Sequence, residues 1–557
     1  MKLEIDRSQL MDTIGVHIPD EELVKFLRRL KIEVEELGPV LKLELADTNR
    51  VELVSLRGIA RELGRMLGRA PKKYAVKSYS LHVFVDEMVG SIRPYIATSV
   101  IKGIKLNDLQ IKELIQVQER LDATIGRNRK VTSIGLYDFS KIRPPIYYKI
   151  APSTVRFVPL GFEEEMSLAE ILELHPKGKE YGWILASTKV YPLLTDSLGQ
   201  VLSFPPIINS NDLGRVTENT RDILVEVTGT SLKSVERVLK IMSMDLIDMG
   251  GVCYGSIIHY PRSLRRSPIF QDRKISFNPE HFWKKSGVKL SIPSLRKLLK
   301  FSGFNLLSSK RGYQVQIPFY REDVMDEVDV IEEILLHYGY ENLTPEPFSL
   351  PTTGKVDSFW EFLNEVREVL IGLGFHEILS FTLTNPQMLF DQMNVKRNEV
   401  VELLNPITSQ FSCLRNSILP SLLEFSSRNK RYFYPQKLFE IGEVFHLYNG
   451  EIIEKIHLSA ILLDKEASFS SMKSVLDCIL REFRIKYFLK EVVTGTFIEG
   501  RCAEIYVNGK KIGILGELNP QVLENWGLIM PASALELDIG DLFGSIENKD
   551  RSKSRSI

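Results

Sequence analysis

Two groups of residues in this 557-residue sequence have the types and spacing for chemistry. The first surrounds Ile223-Leu224-Val225-Glu226-Val227-Thr228. An extended strand alternates its side chains, so Glu226 and Thr228 share one face. Upstream, Asn209-Ser210-Asn211-Asp212 forms a polar loop beside a strand end. Small hydroxyl and amide groups there can hold a polar ligand by hydrogen bonds, and they equally suit a capped sheet edge. The second group is Asp323, Asp329, Glu332 and Glu333. Helical spacing at i, i+3 and i+4 puts the last three on one face, and Asp323, before the helix, can fold back toward them. Clustered carboxylate oxygens suit Mg²⁺, a hard cation. An acidic first turn favoured by the helix dipole fits the same residues.

The elements that must position the first group are short. Tyr191 to Leu194 reads as a strand, Asp196-Ser197-Leu198-Gly199 as a turn, and Val201 to Phe204 as the returning strand. Pro205 and Pro206 remove two backbone donors and end it. Around them the spacing predicts a helix capped by Asn107-Asp108, carrying Ile111, Leu114, Ile115, Leu121 and Ile125 on one stripe. Arg127, Arg129 and Lys130 follow, placed for phosphate or for the helix C-terminus. A helix is predicted over Ser231 to Met249 and a strand over Cys253 to Tyr260. Between Pro261 and Lys300 the chain carries Arg262, Arg265, Arg266, Arg273, Lys274, Lys284 and Lys285 among its cations and reads as a basic linker, which a nucleic-acid backbone would suit.

The second group belongs to a repeat. Arg50, Glu52, Glu62 and Gly68 each precede Arg321, Asp323, Glu333 and Gly339 by 271 residues. Helix, strand and helix recur in both copies, which predicts one small unit used twice on either side of a central domain. A third unit, from about 355 to 545, reads as helix Ser358 to Leu373, strand His376 to Thr384, a helix within Leu414 to Pro420 and strands at 437–445, 456–463, 502–507 and 511–517. These suggest an antiparallel sheet.

Composition narrows the class. Apolar residues make up 44% and charged residues 26%, as in an ordinary soluble multidomain protein. Lys plus Arg, 72, equals Asp plus Glu, 72, so nucleic-acid contact would need local patches. Cys253, Cys413, Cys478 and Cys502 form no CxxC pair, pointing to reduced thiols in a cytoplasmic setting and away from zinc or a disulfide framework. No apolar run is long enough for a bilayer, and no membrane role is expected.

FPPIINS followed by RVTENTRDILVEVTGT resembles the editing domain of the beta subunit of phenylalanyl-tRNA synthetases of the archaeal and eukaryotic type, and the resemblance covers nearly the whole chain. It implies an α+β multidomain fold. A central α/β editing domain is flanked by two related small helical modules, followed by a class II synthetase-like antiparallel core without catalytic motifs. The implied domains are 1–75, 76–265, 266–348 and 349–545, with a disordered tail at 546–557. Carried over by motif, the editing pocket falls on Leu194, Ser203, Glu226 and Thr228, with Leu194 lining the ring, Glu226 accepting from a phenol, and Ser203 and Thr228 holding the ester or a water. The family usually has aspartate at position 226, and Asn-Arg-Pro-Asp where this chain has Asn49-Arg50-Val51-Glu52. Asp323, Asp329, Glu332 and Glu333 match its RxD…DxxEE magnesium pattern. Gly513 and Gly516 are followed by Glu517 rather than an arginine, so the third unit is read as catalytically silent.

The resemblance further implies an alpha subunit in an alpha2-beta2 tetramer and tRNA(Phe) as partners. ATP and aminoacylation belong to the alpha chain. A free-standing hydrolase of mischarged tRNA and a non-catalytic RNA-binding scaffold are the competing readings. The third unit argues against the former, since a lone editing enzyme has no use for a dimerisation copy.

Overall fold

The computed structural model describes residues 1–46, 48–310 and 312–554, with side chains to residue 546. It is a mixed α+β architecture in two compact units, Met1–Pro347 and Phe348–Ile557.

The repeat is a repeat of structure. The first copy runs strand Lys2–Asp6, helices Arg7–Ile14 and Asp20–Arg29, strands Glu33–Glu36 and Val40–Glu44, and helix Leu56–Met66. The second runs strand Arg273–Phe277, helices Pro279–Ser286 and Ile292–Phe301, strands Asn305–Ser309 and Gly312–Ile317, and helix Glu327–Tyr338. Lys2 and Arg273, like Leu56 and Glu327, stand 271 residues apart. Both three-stranded sheets place their last strand in the middle, and each buries its own apolar core. The basic stretch expected as a linker is therefore structured. It holds strand Ser263–Ser267 and the first three elements of the second copy, because alternating and helical apolar positions are threaded between its cations.

The copies meet through the residues that revealed them. Arg50 pairs with Glu52 at 2.8 Å and with Glu62, while Arg321 pairs with Asp323 at 2.8 Å and with Glu333. Arg321 Nε also lies 3.9 Å from Glu52 Oε1, across the copies. Arg321 is fully buried. Burial opposes the charged form of Glu62, but Arg65 and Arg50 outweigh it and hold the carboxyl at about 2. Glu333 is held still lower, with Arg321 and Arg50 overcoming its burial.

Between the copies lies a ten-stranded sheet. Its order is 208–209, 201–204, 191–195, 146–151, 79–85, 252–260, 95–102, 223–229 and 132–138, with 263–267 branching from 252–260. Only strand Tyr79–Val85 makes parallel pairs, with its two neighbours. The domain expected as α/β is thus a mixed, largely antiparallel sheet. The reason lies in its connections: hairpins and loops outnumber helical crossovers, and antiparallel neighbours need only short links. Strand Ile223–Gly229 is buried along its whole length, flanked by Tyr95–Lys102 and Thr132–Asp138. Helix Leu232–Asp248 packs on one face with the largest apolar cluster. Helix Asp108–Ala123 begins with a capping box between Asn107 and Gln110.

The second unit contains a seven-stranded sheet, antiparallel but for the short strand His376–Glu377. Two of its strands, Tyr487–Glu491 and Ala532–Asp538, have no counterpart in the sequence reading. The expected strand from His376 to Thr384 shrinks to His376–Glu377 and Leu383–Thr384, and the expected helix at 414–420 begins only at Leu419. Arg415 explains the delay: its buried guanidinium is tied to Glu440 and to the Glu443 carbonyl, which holds that stretch out of a helix. The last helix, Ile539–Ser554, runs into the segment expected to be disordered, and residues 555–557 lie outside the described residues.

Removing one side of a buried ion cluster strands the other side's charge, at about 3–5 kcal/mol. Arg321→Ala is therefore expected to lower the urea stability of the first unit by that amount. Glu332→Ala, which breaks the half-exposed pair of Glu332 with Lys31, should cost under about 1 kcal/mol. Equal losses from the two substitutions would contradict the interface.

Candidate functional site

A cavity of about 360 Å³ opens beside the edge strand of the central sheet. Its floor is strand chemistry: Glu226 from the buried strand Ile223–Gly229, and Ser133 and Leu136 from the edge strand Thr132–Asp138. One wall is helix Asp108–Ala123, through Ile111, Leu114 and Gln118. The roof is the chain from Ser203 to Asn209, where the proline pair turns away from the sheet. Arg129 fixes that roof, donating to the Pro206 and Ile207 carbonyls while pairing with Asp122 at 3.1 Å.

Glu226 is the charged centre. It is 2% exposed, and burial pushes its carboxyl up to about 7, against the Tyr137 hydroxyl and the nearby Arg93 guanidinium. The Tyr137 hydroxyl donates to Oε2 at 2.8 Å, whereas Oε1 has no hydrogen-bond partner. Ser203 Oγ, also buried, sits beside the Tyr137 hydroxyl without a formed hydrogen bond. Glu226 and Ser203 thus line one cavity, and each keeps a buried oxygen without a hydrogen-bond partner, which a finished core avoids. Gly135 stands opposite Glu226. A Cβ there would lie 2.2 Å from the Tyr137 hydroxyl and 2.6 Å from Glu226 Oε2, so the pair exists only because that position is glycine.

Of the four residues expected to form the pocket, Ser203 and Glu226 line the cavity, and Leu194 and Thr228 do not. Leu194 is fully buried in the apolar cluster beneath the sheet. Thr228 Oγ1 accepts from Arg93 Nε at 3.1 Å, lies 3.2 Å from Ser133 Oγ and stands beside the Glu226 carboxyl, so it sits in the wall behind the cavity. Arg93 also donates to Ser133 Oγ and to the Thr228 carbonyl. From the polar loop only Asn209 reaches the cavity, while Ser210 Oγ accepts from the Leu213 backbone at 3.4 Å and steadies the turn. The sequence reading missed Arg93, Ser133, Gly135 and Tyr137. The run Thr132-Ser133-Ile134-Gly135-Leu136-Tyr137 carried a signal in its alternation of small and polar residues, but nothing named its partner strand.

The four residues expected to hold Mg²⁺ each have a partner within the chain. Asp323 and Glu333 both close on Arg321. Asp329 turns back to accept from the Met325 and Asp326 backbones, and Glu332 reaches Lys31 at 2.6 Å. Among the described residues no three His, Cys, Asp or Glu side chains gather so as to hold a metal ion. A guanidinium occupies the place where a cation would sit, so Asp323, Asp329, Glu332 and Glu333 as arranged do not fit Mg²⁺.

Residues 275–340 match the tRNA synthetase B5 domain, and residues 346–539 match the phenylalanyl tRNA synthetase beta chain CLM domain. The phenylalanine--tRNA ligase beta subunit of Pyrococcus furiosus is 38% identical over 553 residues, 97% of this chain and 100% of that protein. Its Archaeoglobus fulgidus counterpart is 38% identical over 504 residues, 90% and 91% of the two chains. An N-terminal fragment of the phenylalanyl-tRNA synthetase beta subunit from Pyrococcus horikoshii superposes with a TM-score of 0.59 at 36% identity, covering 61% of this chain and 100% of the fragment.

Folded, Glu226 keeps its proton to about 7, above its ordinary 4.5. The folded chain then binds more protons than the unfolded one between those values, and stability falls as pH rises through them. Glu226→Gln is expected to stabilise the protein by about 1–3 kcal/mol at pH 8, with the gap closing toward pH 4.5. Urea midpoints at both pH values measure it, and a gap independent of pH would refute the assignment.

Proposed function

The chain belongs to the phenylalanine--tRNA ligase beta-subunit family, and on that premise we propose that its central domain hydrolyses tyrosine wrongly esterified to tRNA(Phe). An apolar pocket built for phenylalanine rejects an added hydroxyl by on the order of 10², whereas translation needs about 10⁴ to 10⁵. The remainder must come from a second site that prefers the impostor. The single observation that carries this reading is that Glu226 and Ser203, each with an oxygen lacking a partner, line one cavity.

In this reading the tyrosyl phenol donates to Glu226 Oε1. Phenylalanine would leave that oxygen desolvated and unpaired, which costs about 1–3 kcal/mol. Ser203 Oγ holds the ester or the attacking water. Water adds to the ester carbonyl, the bond to the terminal ribose oxygen breaks, and that oxygen takes the proton. Thr228 acts as a positioning residue, through Arg93 and Ser133, and Leu194 as support beneath the floor. Glutamate rather than aspartate at 226 extends the carboxylate to the depth at which Tyr137 meets it.

Activation of phenylalanine with ATP and Mg²⁺ is assigned to a separate alpha chain, in an alpha2-beta2 assembly acting on tRNA(Phe) in the cytoplasm. The second unit supports such a partner. Leu379, Leu404 and Phe433 stand 91%, 93% and 97% exposed, in a unit whose sheet faces are otherwise covered. Large exposed apolar residues of this kind mark association surfaces. Among the described residues no helix is long and apolar enough to cross a membrane.

Assayed with its alpha partner, Ser203→Ala or Glu226→Leu is expected to slow deacylation of tyrosyl-tRNA(Phe) by about 10- to 100-fold. Charging with phenylalanine, which also reports folding, should stay within about twofold. Unchanged deacylation in both variants would remove the proposal.

A further inference from the structure

A second cavity, of about 300 Å³, lies where the first module meets the central sheet. Helix Leu56–Met66 and the turn after it place Arg57, Arg61, Arg65 and Arg69 at successive four-residue steps, so their side chains form one stripe. All four line the cavity, together with Lys72, and Asp248 is the one carboxylate in its lining. Five fixed cations around a small space are costly unless anions answer them.

Protein carboxylates answer only in part. Arg61 pairs with Asp248 at 2.6 Å and with Asp245 at 3.4 Å. Asp248 is already shared with Lys72, 3.4 Å away, and with the Tyr74 hydroxyl. Arg65 holds Glu62 at 2.7 Å, but Glu62 also serves Arg50. Arg57 Nε approaches Glu113 Oε1 only to 3.5 Å and makes no hydrogen bond. Arg65 Nε is likewise buried without an acceptor, its guanidinium packed toward Gly303 and over the Tyr320 ring. Both arginines are more than nine-tenths buried, so bulk water does not supply the missing acceptors. Arg69, at the open end, makes no ion pair or side-chain hydrogen bond among the described residues. Burial also lifts Asp245 to about 7 and raises Glu113, which thins the negative charge further near neutral pH.

We infer that this cavity binds a phosphate oxyanion at its open end, between Arg69 and Lys72. The planar guanidinium fork of Arg69, which has no acceptor of its own, matches phosphate oxygens, and the arginines deeper in the lining add positive potential behind it. The phosphate can belong to a free phosphorylated molecule or to an RNA backbone.

Inorganic phosphate titrated into the full chain at low ionic strength, followed by calorimetry, tests the first source, and tRNA binding in the same buffer tests the second. The double variant Arg69→Ala/Lys72→Ala removes exposed side chains at the cavity mouth and should fold as the wild type. Saturable phosphate binding that weakens about tenfold or more in this variant supports a free oxyanion. No phosphate binding at about 10 mM, with tRNA affinity reduced more by this variant than by the charge-matched Lys284→Ala/Lys285→Ala, supports an RNA phosphate. Phosphate binding that the variant leaves unchanged, or neither ligand responding to it, overturns the inference.

Discussion

Everything in the central domain is arranged around a carboxylate placed where carboxylates are expensive. Glu226 sits inside a strand with neighbours on both sides and helices over one face, and burial pushes its proton affinity up to about 7 even against Tyr137 and Arg93. An isolated ion there would cost several kcal/mol. The fold lowers that cost without cancelling it. Tyr137 supplies one hydrogen bond, Arg93 a nearby positive charge, and Gly135 the room for both. The second oxygen is left without a hydrogen-bond partner, in a residue that lines a cavity. A site that fully satisfied its own acid would have nothing to offer a ligand, and destabilised polar groups of this kind are characteristic of functional positions.

Pairs of unlike fate run through the same unit. The carboxylates of the second repeat were candidates for binding a metal cation, and two of them, Asp323 and Glu333, close on the guanidinium of Arg321, as Glu52 and Glu62 of the first repeat close on Arg50. The cluster joins two copies of one module across 271 residues, and its cations cannot be released or exchanged. Arg61 and Arg65, one and two turns along the helix that supplies Glu62, carry the opposite imbalance: more cations than anions, facing a space. The same short helix thus closes one electrostatic balance on its inner side and leaves another open at the junction with the sheet.

Much of this was legible in the sequence. The strand alternation at 223–228 placed Glu226 and Thr228 on one face, Pro205-Pro206 did end its strand at Phe204, and the constant offset disclosed the duplicated module, whose sheet order came only with the structure. What stayed hidden depended on partners far along the chain. Sharing a face did not tell that Thr228 lies behind the cavity, held by Arg93, 135 residues earlier, while Glu226 lines it. Helical spacing brought Asp329, Glu332 and Glu333 to one side, but it could not say that Asp329 caps its own helix while Lys31, 301 residues away, claims Glu332. The arginine stripe at 57, 61, 65 and 69 was also plain in the letters, and only the cavity beside it gave it meaning.

The central claim is that the open oxygen of Glu226 selects for a phenol. The most direct test is binding of two non-hydrolysable adenosine amides, one tyrosyl and one phenylalanyl, to the full chain, with a crystal structure of the tighter complex. The account requires the tyrosyl compound to bind about tenfold or more tightly, with its phenol oxygen within hydrogen-bonding distance of Glu226 Oε1. Equal affinities, or a tyrosyl ring lodged elsewhere with that oxygen still unpaired, would contradict it.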